Sequence, residues 1–298
     1  AYEIPLRLVG SEMCIRDRFQ LLVQGRKKRG AIDFDTVETK IVCNELGRIE
    51  QIVPSVRNDA HKLIEECMLA ANTCAADFMT RSKHPGLYRI HEGPTPERLQ
   101  SLREFLRTMG LSMGGGETPT AKDYGDFLDT VRGRPDYQLL QTMCLRSMQQ
   151  AVYSPDNMGH FGLSYPGYSH FTSPIRRYPD LLTHRVIKAL LAGQRYVPSL
   201  DDQAVVIGRT QKEHEHAIWE KMGLVLSASE RRADEASRDV EAWLKCWFVK
   251  ERVGEDFSGT VTGVASFGIF VTLDTLHVEG LVHVSEPVSY THLRAHET

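Results

Sequence analysis

The sequence predicts an α+β protein: a long helix-rich part carrying short strands, followed by the first strands of a small β-barrel. Three observations predict it. Over residues 58–81, Ala60, Leu63, Ile64, Cys67, Met68, Ala71, Ala75 and Phe78 recur at three- and four-residue spacing, the period of a helix with one buried face, and further helices follow to residue 252. Residues 30–56 instead alternate short β-like runs with turns. From Asp256 the pattern changes to period two, as FSGTVTGV, FGIFVTL and VEGLVHV with glycines at the turns, the punctuation of a small barrel that stops before closure.

The 298 residues are 41% hydrophobic and 25% charged, enough for one large domain or one large and one small. The formal net charge of −3 gives no global basic field, so a nucleic-acid partner would need a local groove. Of the six cysteines, none forms a CxxC pair or stands near a histidine at zinc-ligand spacing. They read as reduced, mostly buried thiols of a cytoplasmic protein. No apolar run reaches the roughly 18 residues of a membrane span, and no N-terminal signal pattern stands out. Residues 1–18 and 287–298 share no periodicity with their neighbours and resemble translated sequencing-adapter sequence. Both ends are therefore set aside from fold reasoning.

Taken in order, AIDFD, KIVCNELG and RIEQIVP read as β-like runs, with a hairpin turn at Asn44–Gly47. Residues 58–81 form a strong helix, capped by Asn58 or Asp59. Residues 85–93 read as a strand, and Thr95-Pro96 opens a helix to about Met109. The Gly-rich run at 110–119 lacks the lysine of a phosphate-binding loop and reads as a linker. Helices follow at about 120–131 and 136–150, and residues 161–171 look strand-like with a turn at Pro166-Gly167. A helix then runs to about Ala192. Residues 201–252 are helical in two or three pieces, with Gly208 and Gly223 as weak points.

The segment HFTSPIRRYPD, residues 170–180, carries the most chemistry. Thr172 or Ser173 can cap a helix start and Pro174 can take its first position. Free backbone N–H groups and the guanidiniums of Arg176 and Arg177 would then converge, a phosphate clamp. The plainer alternative pairs both arginines with carboxylates. Pro179 should interrupt the first turn, restarting the helix with Asp180 near its N-terminus. On the 58–81 helix, Asn58, His61, Glu65 and Asn72 form a polar stripe bordering the apolar face, either a groove lining or a solvated flank. His160, Phe161, Tyr165, Tyr168, His170 and Phe171 offer rings that either stack on bases or fill a core. Asp33 and Asp35 suggest a metal pair, but on a strand they share one solvated face and no further carboxylates stand close in sequence.

At HFTSPIRRYPDLLTHRVIKALL the chain resembles the ribonuclease R and ribonuclease II family. NDAHKLIEECMLAAN, RIHEGPTPE, LLQTMCLRSMQQAVYSPDNMGHFGL and SERRADEASRDVEAWLKC extend the match over about residues 19–286. The resemblance implies that 19–254 are the later two-thirds of an RNB catalytic domain. It implies that 255–286 are the first strands of a truncated S1-type RNA-binding domain, an OB-fold β-barrel. The activity it implies is processive, hydrolytic 3′→5′ degradation of single-stranded RNA to nucleoside 5′-monophosphates, in RNA decay and quality control. Family members use divalent metal, here expected as Mg2+, held by an aspartate cluster.

Position by position, Arg176 matches a family arginine that contacts the phosphate near the scissile bond, and Glu65 a glutamate facing the RNA 3′ end. These two are the expected catalytic residues. Phe34 matches an aromatic that clamps the terminal base. Asn72, Tyr168, His170, Ser173 and Arg177 are expected to line the RNA channel by neighbourhood. The family's aspartate-rich motif is absent from residues 1–57, so its ligands are expected upstream and no metal ligand is assigned here. The chain alone is therefore expected to be an inactive, monomeric binder of single-stranded RNA.

Overall fold

A computed structural model of the chain describes residues 12–34, 38–55, 57–199 and 210–285. Along these run α1 (Glu12–Arg29), β1 (Thr39–Cys43), β2 (Ile49–Pro54), α2 (Asp59–Arg81), β3 (Tyr88–Ile90), α3 (Pro96–Thr108), α4 (Ala121–Thr130), α5 (Tyr137–Ser147), β4 (Val152–Ser154), α6 (Tyr178–Leu191), α7 (Gln211–Val249), β5 (Gly259–Ala265), β6 (Gly268–Leu273) and β7 (Glu279–His283). The chain divides into two compact units, residues 1–35 with 57–231 and residues 36–56 with 232–298.

In the first unit the helix starts follow local chemistry. Asn58 accepts the His61 N–H at 3.0 Å while the His61 ring accepts the Asn58 N–H, closing a capping box at the start of α2. Thr95 caps α3, with Pro96 at its first position, and Thr120 with Asp123 caps α4. Each such cap stabilises its helix by about 1 kcal/mol. One core lies among α3, α4 and α5, where Leu102, Leu106, Tyr124, Leu128 and Leu140 are buried. A second gathers Met79, Leu87, Tyr153, Leu182, Val186, Trp219 and Met222 from α2, α6, α7 and the β3–β4 pair. β3 and β4 are antiparallel, with Arg89 opposite Tyr153.

Several expectations from the sequence are corrected. Residues 161–171 form no strand; the backbone is held by isolated bridges of His160 with His91 and with Tyr165. Ser164 at φ +52° breaks any extended run there, and Gly159 at φ +73° turns the chain just before it. Gly223 does not interrupt a helix. α7 passes through it unbroken, and a Cβ there would stand 2.5 Å from the Tyr153 carbonyl oxygen, so glycine permits close packing of α7 on β4. Gly208 lies outside the described residues. Residues 31–34 of AIDFD are not a strand, and Asp35 is outside the described residues; α1 takes in residues 12–18, which were set aside from fold reasoning, together with 19–29, for which the sequence suggested no element. Of the cysteines expected to be mostly buried, only Cys144 is buried among the described residues, while Cys43, Cys67, Cys74 and Cys246 are exposed.

In the second unit β1 and β2 form an antiparallel hairpin turning at Asn44–Gly47, with Gly47 at φ +72°. β5, β6 and β7 form a three-stranded antiparallel sheet, as the period-two pattern predicts. Ile52 of the hairpin is buried with Leu276 and Val278, against Phe248, Phe257 and Leu273. The hairpin thus shares its core with the C-terminal strands.

Candidate nucleic-acid interface

The segment between His170 and Asp180 is shaped from within. Ser173 O accepts the N–H groups of Arg176 at 3.3 Å and Arg177 at 3.0 Å, so residues 173–177 make one tight turn. Neither Thr172 nor Ser173 caps α6 as the sequence suggested. Instead the fully buried Asp180 reaches back, and its Oδ1 accepts the Ser173 N–H at 2.7 Å and an Arg177 N–H at 2.8 Å. α6 starts at Tyr178, with Pro179 in its first turn.

The two arginines therefore part company. Arg177 is the structural member, its side chain only 18% exposed and ion-paired with Asp180. Arg176 is exposed, beside the fully exposed Ile175. Among the described residues no carboxylate pairs with it. A guanidinium held out by a locked turn is suited to a phosphate.

Asn72 and Tyr168 do not line a channel directly, contrary to expectation. Asn72 is 2% and Tyr168 6% exposed. The Asn72 amide donates to the Tyr168 hydroxyl at 2.8 Å and accepts the N–H groups of Phe171 and Thr172 at 2.9 and 3.2 Å. Buried polar groups must be paired, and here the pairing fixes the backbone that leads into Ser173. His170 and Ser173 are half-buried on that same backbone.

Glu65 lies two turns before Asn72 on α2, about 10 Å away along the helix at 1.5 Å per residue. It is part of a chain of charge. Arg57 grips the Glu65 carboxylate with two N–H groups, one at 2.8 Å, and also meets Asp33 at 3.4 Å. Arg26 meets Asp33 at 3.2 Å and the buried Glu66 at 3.0 Å. The hydrogen bond to Glu65 and its charge hold the Arg57 guanidinium firmly protonated. Through Asp33 the chain reaches the neighbouring Phe34, half-buried against the core of α3–α5. Glu65 and Asp33, the residue before Phe34, are thus joined through one arginine.

These carboxylates do not fit a metal. Asp33, Glu65 and Glu66 each face a guanidinium, and among the described residues no group of three or more His, Cys, Asp or Glu could hold an ion. A hard divalent cation wants several free oxygen ligands.

A wall of rings continues from His170. Tyr165 stacks on Tyr168 with centroids 6.0 Å apart, Arg29 covers Tyr165 at 4.1 Å, and His160 meets Tyr168 edge-on. Burial, with the nearby His91 and Arg89, pushes His160 down to about 3. Beside it opens a cleft of about 730 Å³ lined by His91, Asn157, His160, Phe161 and Tyr165.

Three members of this region carried no sequence signal of their own: Tyr153, Arg89 and Glu230. Arg89 pairs with Glu230 at 2.6 Å and lies over the Tyr153 ring at 4.5 Å. The β3–β4 register that juxtaposes Arg89 and Tyr153 joins residues more than sixty apart, which periodicity cannot report. Among the described residues no helix is long and apolar enough to cross a membrane.

An RNB domain model matches residues 14–193 and an S1 RNA binding domain model residues 250–287. Ribonuclease R of Vibrio cholerae is 49% identical over 275 residues, covering 90% of this chain and 32% of that protein. Ribonuclease R of Escherichia coli is 48% identical over 274 residues, 91% of this chain and 33% of that protein. The chain thus spans about a third of the length of these relatives. Mycoplasma genitalium RNase R in complex with ribose methylated single-stranded RNA superposes with a TM-score of 0.83 at 28% identity, over 96% of this chain and 43% of that one. Yeast Ssd1, a pseudonuclease, is similar in fold at TM-score 0.59 and 21% identity, over 76% of this chain and 27% of that one.

Proposed function

The chain belongs to the RNB domain family, and on that premise we propose that it carries the RNA-gripping portion of a processive 3′→5′ exoribonuclease that hydrolyses single-stranded RNA to nucleoside 5′-monophosphates. The observation that carries the proposal is Arg176: an exposed guanidinium without a described carboxylate partner, on a turn locked by Asp180.

In this reading Arg176 binds the phosphate at the scissile bond and offsets the negative charge that builds on its oxygens as water attacks. Glu65, oriented by Arg57, faces the last ribose. Phe34 packs against the terminal base. Ser173 and His170 border the strand, while Arg177 and Asn72 keep the bordering backbone in place. Hydrolysis in the family draws on divalent metal, expected as Mg2+; Asp33, Glu65 and Glu66, each turned to a guanidinium, do not fit that ion.

A second reading concerns this chain by itself: a binder of single-stranded RNA without turnover. The arginine-neutralised carboxylates favour it. Both readings meet one experiment. A fluorescently labelled single-stranded RNA is titrated with the purified chain at several salt concentrations, with Mg2+ present and the products resolved. Affinity that falls with salt and weakens in Arg176→Ala supports the shared reading. Binding without cleavage selects the second, and salt-independent absence of binding overturns both.

A further inference from the structure

His170 is held as a neutral ring with a defined tautomer. Its Nδ1 lies 2.8 Å from the Tyr153 hydroxyl. That hydroxyl also lies 3.1 Å from Glu230 Oε1, to which it donates. Glu230 is paired with Arg89 at 2.6 Å and offers only acceptor oxygens. A phenol has one proton. With that proton committed to the carboxylate, the phenol oxygen can only accept from His170, so Nδ1 carries the ring's hydrogen. A lone pair on Nδ1 facing the Tyr153 oxygen would be repulsive. Nε2 is therefore a bare acceptor, and no described residue donates to it. Burial, reinforced by Arg177, Arg89, His160 and Arg176, drives His170 down to about 2, so Nε2 keeps its lone pair at any ordinary pH.

An acceptor of this kind cannot bind a phosphate oxygen, which is itself an acceptor. It selects a donor. On a ribonucleotide whose phosphate is held by Arg176, six residues along the same loop, the donor on the sugar is the 2′-hydroxyl, which a deoxynucleotide lacks. We propose that His170 accepts a hydrogen bond from a ribose 2′-hydroxyl through Nε2 and is a specificity-determining residue for RNA over DNA, with Tyr153 and Glu230 as its positioning residues. The proposal rests on the RNA-binding reading above and names what that site recognises.

The test uses the whole chain and two readouts. Long-range 15N–1H NMR of the histidine rings reports the tautomer directly. His170 should carry hydrogen on Nδ1 and stay neutral well below pH 6; hydrogen on Nε2 overturns the proposal. Dissociation constants are then compared for one labelled sequence made as RNA, as DNA and as 2′-fluoro RNA, whose fluorine cannot donate. One lost hydrogen bond corresponds to about two- to tenfold in affinity. RNA should exceed the other two by that factor in the unmodified chain, and the preference should vanish in His170→Phe with affinity for DNA retained. Tyr153→Phe, which keeps the ring but frees the tautomer, should also reduce it. Equal loss for RNA and DNA in His170→Phe overturns the proposal and leaves RNA binding standing, as does a loss that follows base identity rather than the sugar. No RNA binding by the unmodified chain removes the reading beneath and this inference with it.

Discussion

Arg177 Nη2 lies 2.8 Å from Asp180 Oδ1, in a pair whose acid is fully buried and whose base is nearly so. The same oxygen accepts the Ser173 N–H, so one atom fixes both the turn and the arginine that faces inward. The neighbouring arginine is left to face solvent. Removing one partner of such a buried pair leaves an uncompensated charge and costs about 3–5 kcal/mol. Asp180→Ala should show that loss in urea unfolding. Asp180→Asn, which keeps an acceptor for the Ser173 N–H, should lose less. Equal stability of Asp180→Ala and the unmodified chain would remove Asp180 from its organising role.

Arg176 should behave in the opposite way. It is exposed and unpaired among the described residues, so Arg176→Ala should change stability by no more than about 0.5 kcal/mol. Its effect belongs to RNA. Loss of one phosphate contact should weaken binding on all sequences alike and reduce the slope of log K against log salt by about one. A melting shift of several degrees without a change in salt slope would make Arg176 structural.

The contrast between these arginines marks what the sequence can tell. The motif SPIRRY singles out both, yet only the fold separates them, because Asp180 returns to Ser173 through a turn that no period describes. The helix starts were legible at Asn58, Thr95 and Thr120, where capping is a matter of three or four adjacent residues. β5, β6 and β7 were legible as alternation. The run from Phe161 to Phe171 was misread, since its aromatic residues have strand propensity but are used on an irregular backbone held by the side chains of Asn72 and Asn157. Glu65 could be named from the motif around it. Its clamp by Arg57 could not, because the two meet across a helix start.

Gly223 was misread for the opposite reason. Glycine weakens a helix in isolation, but here α7 uses it to approach the Tyr153 carbonyl, where a Cβ would lie 2.5 Å from oxygen. Gly223→Ala raises helix propensity and should nonetheless destabilise, by about 1–3 kcal/mol, the range of overpacking. Because β4 carries Tyr153, the variant should also perturb the His170 ring signals. A stability gain in thermal melting would show that α7 and β4 have room to spare.

Acid should unfold the protein through its histidines. His160 and His170 are pushed by burial to about 3 and about 2, whereas an unfolded histidine titrates near 6.5. Between those values the unfolded chain binds protons that the folded chain refuses. Stability is therefore fully present above about pH 6.5 and is lost as pH falls through the window towards 3, by up to about 1.4 kcal/mol per pH unit for each histidine. The groups facing His170 sharpen the effect, since Arg177, Arg89 and Arg176 all oppose its protonation while Tyr153 holds its Nδ1. His170→Gln can still donate to the Tyr153 oxygen and does not titrate. In urea unfolding between pH 4 and 5.5, its stability should therefore fall about 1.4 kcal/mol less per pH unit than that of the unmodified chain. Parallel pH profiles for the two proteins would mean that His170 accepts a proton in the folded state, and that its ring is not held neutral by Tyr153 and its surroundings.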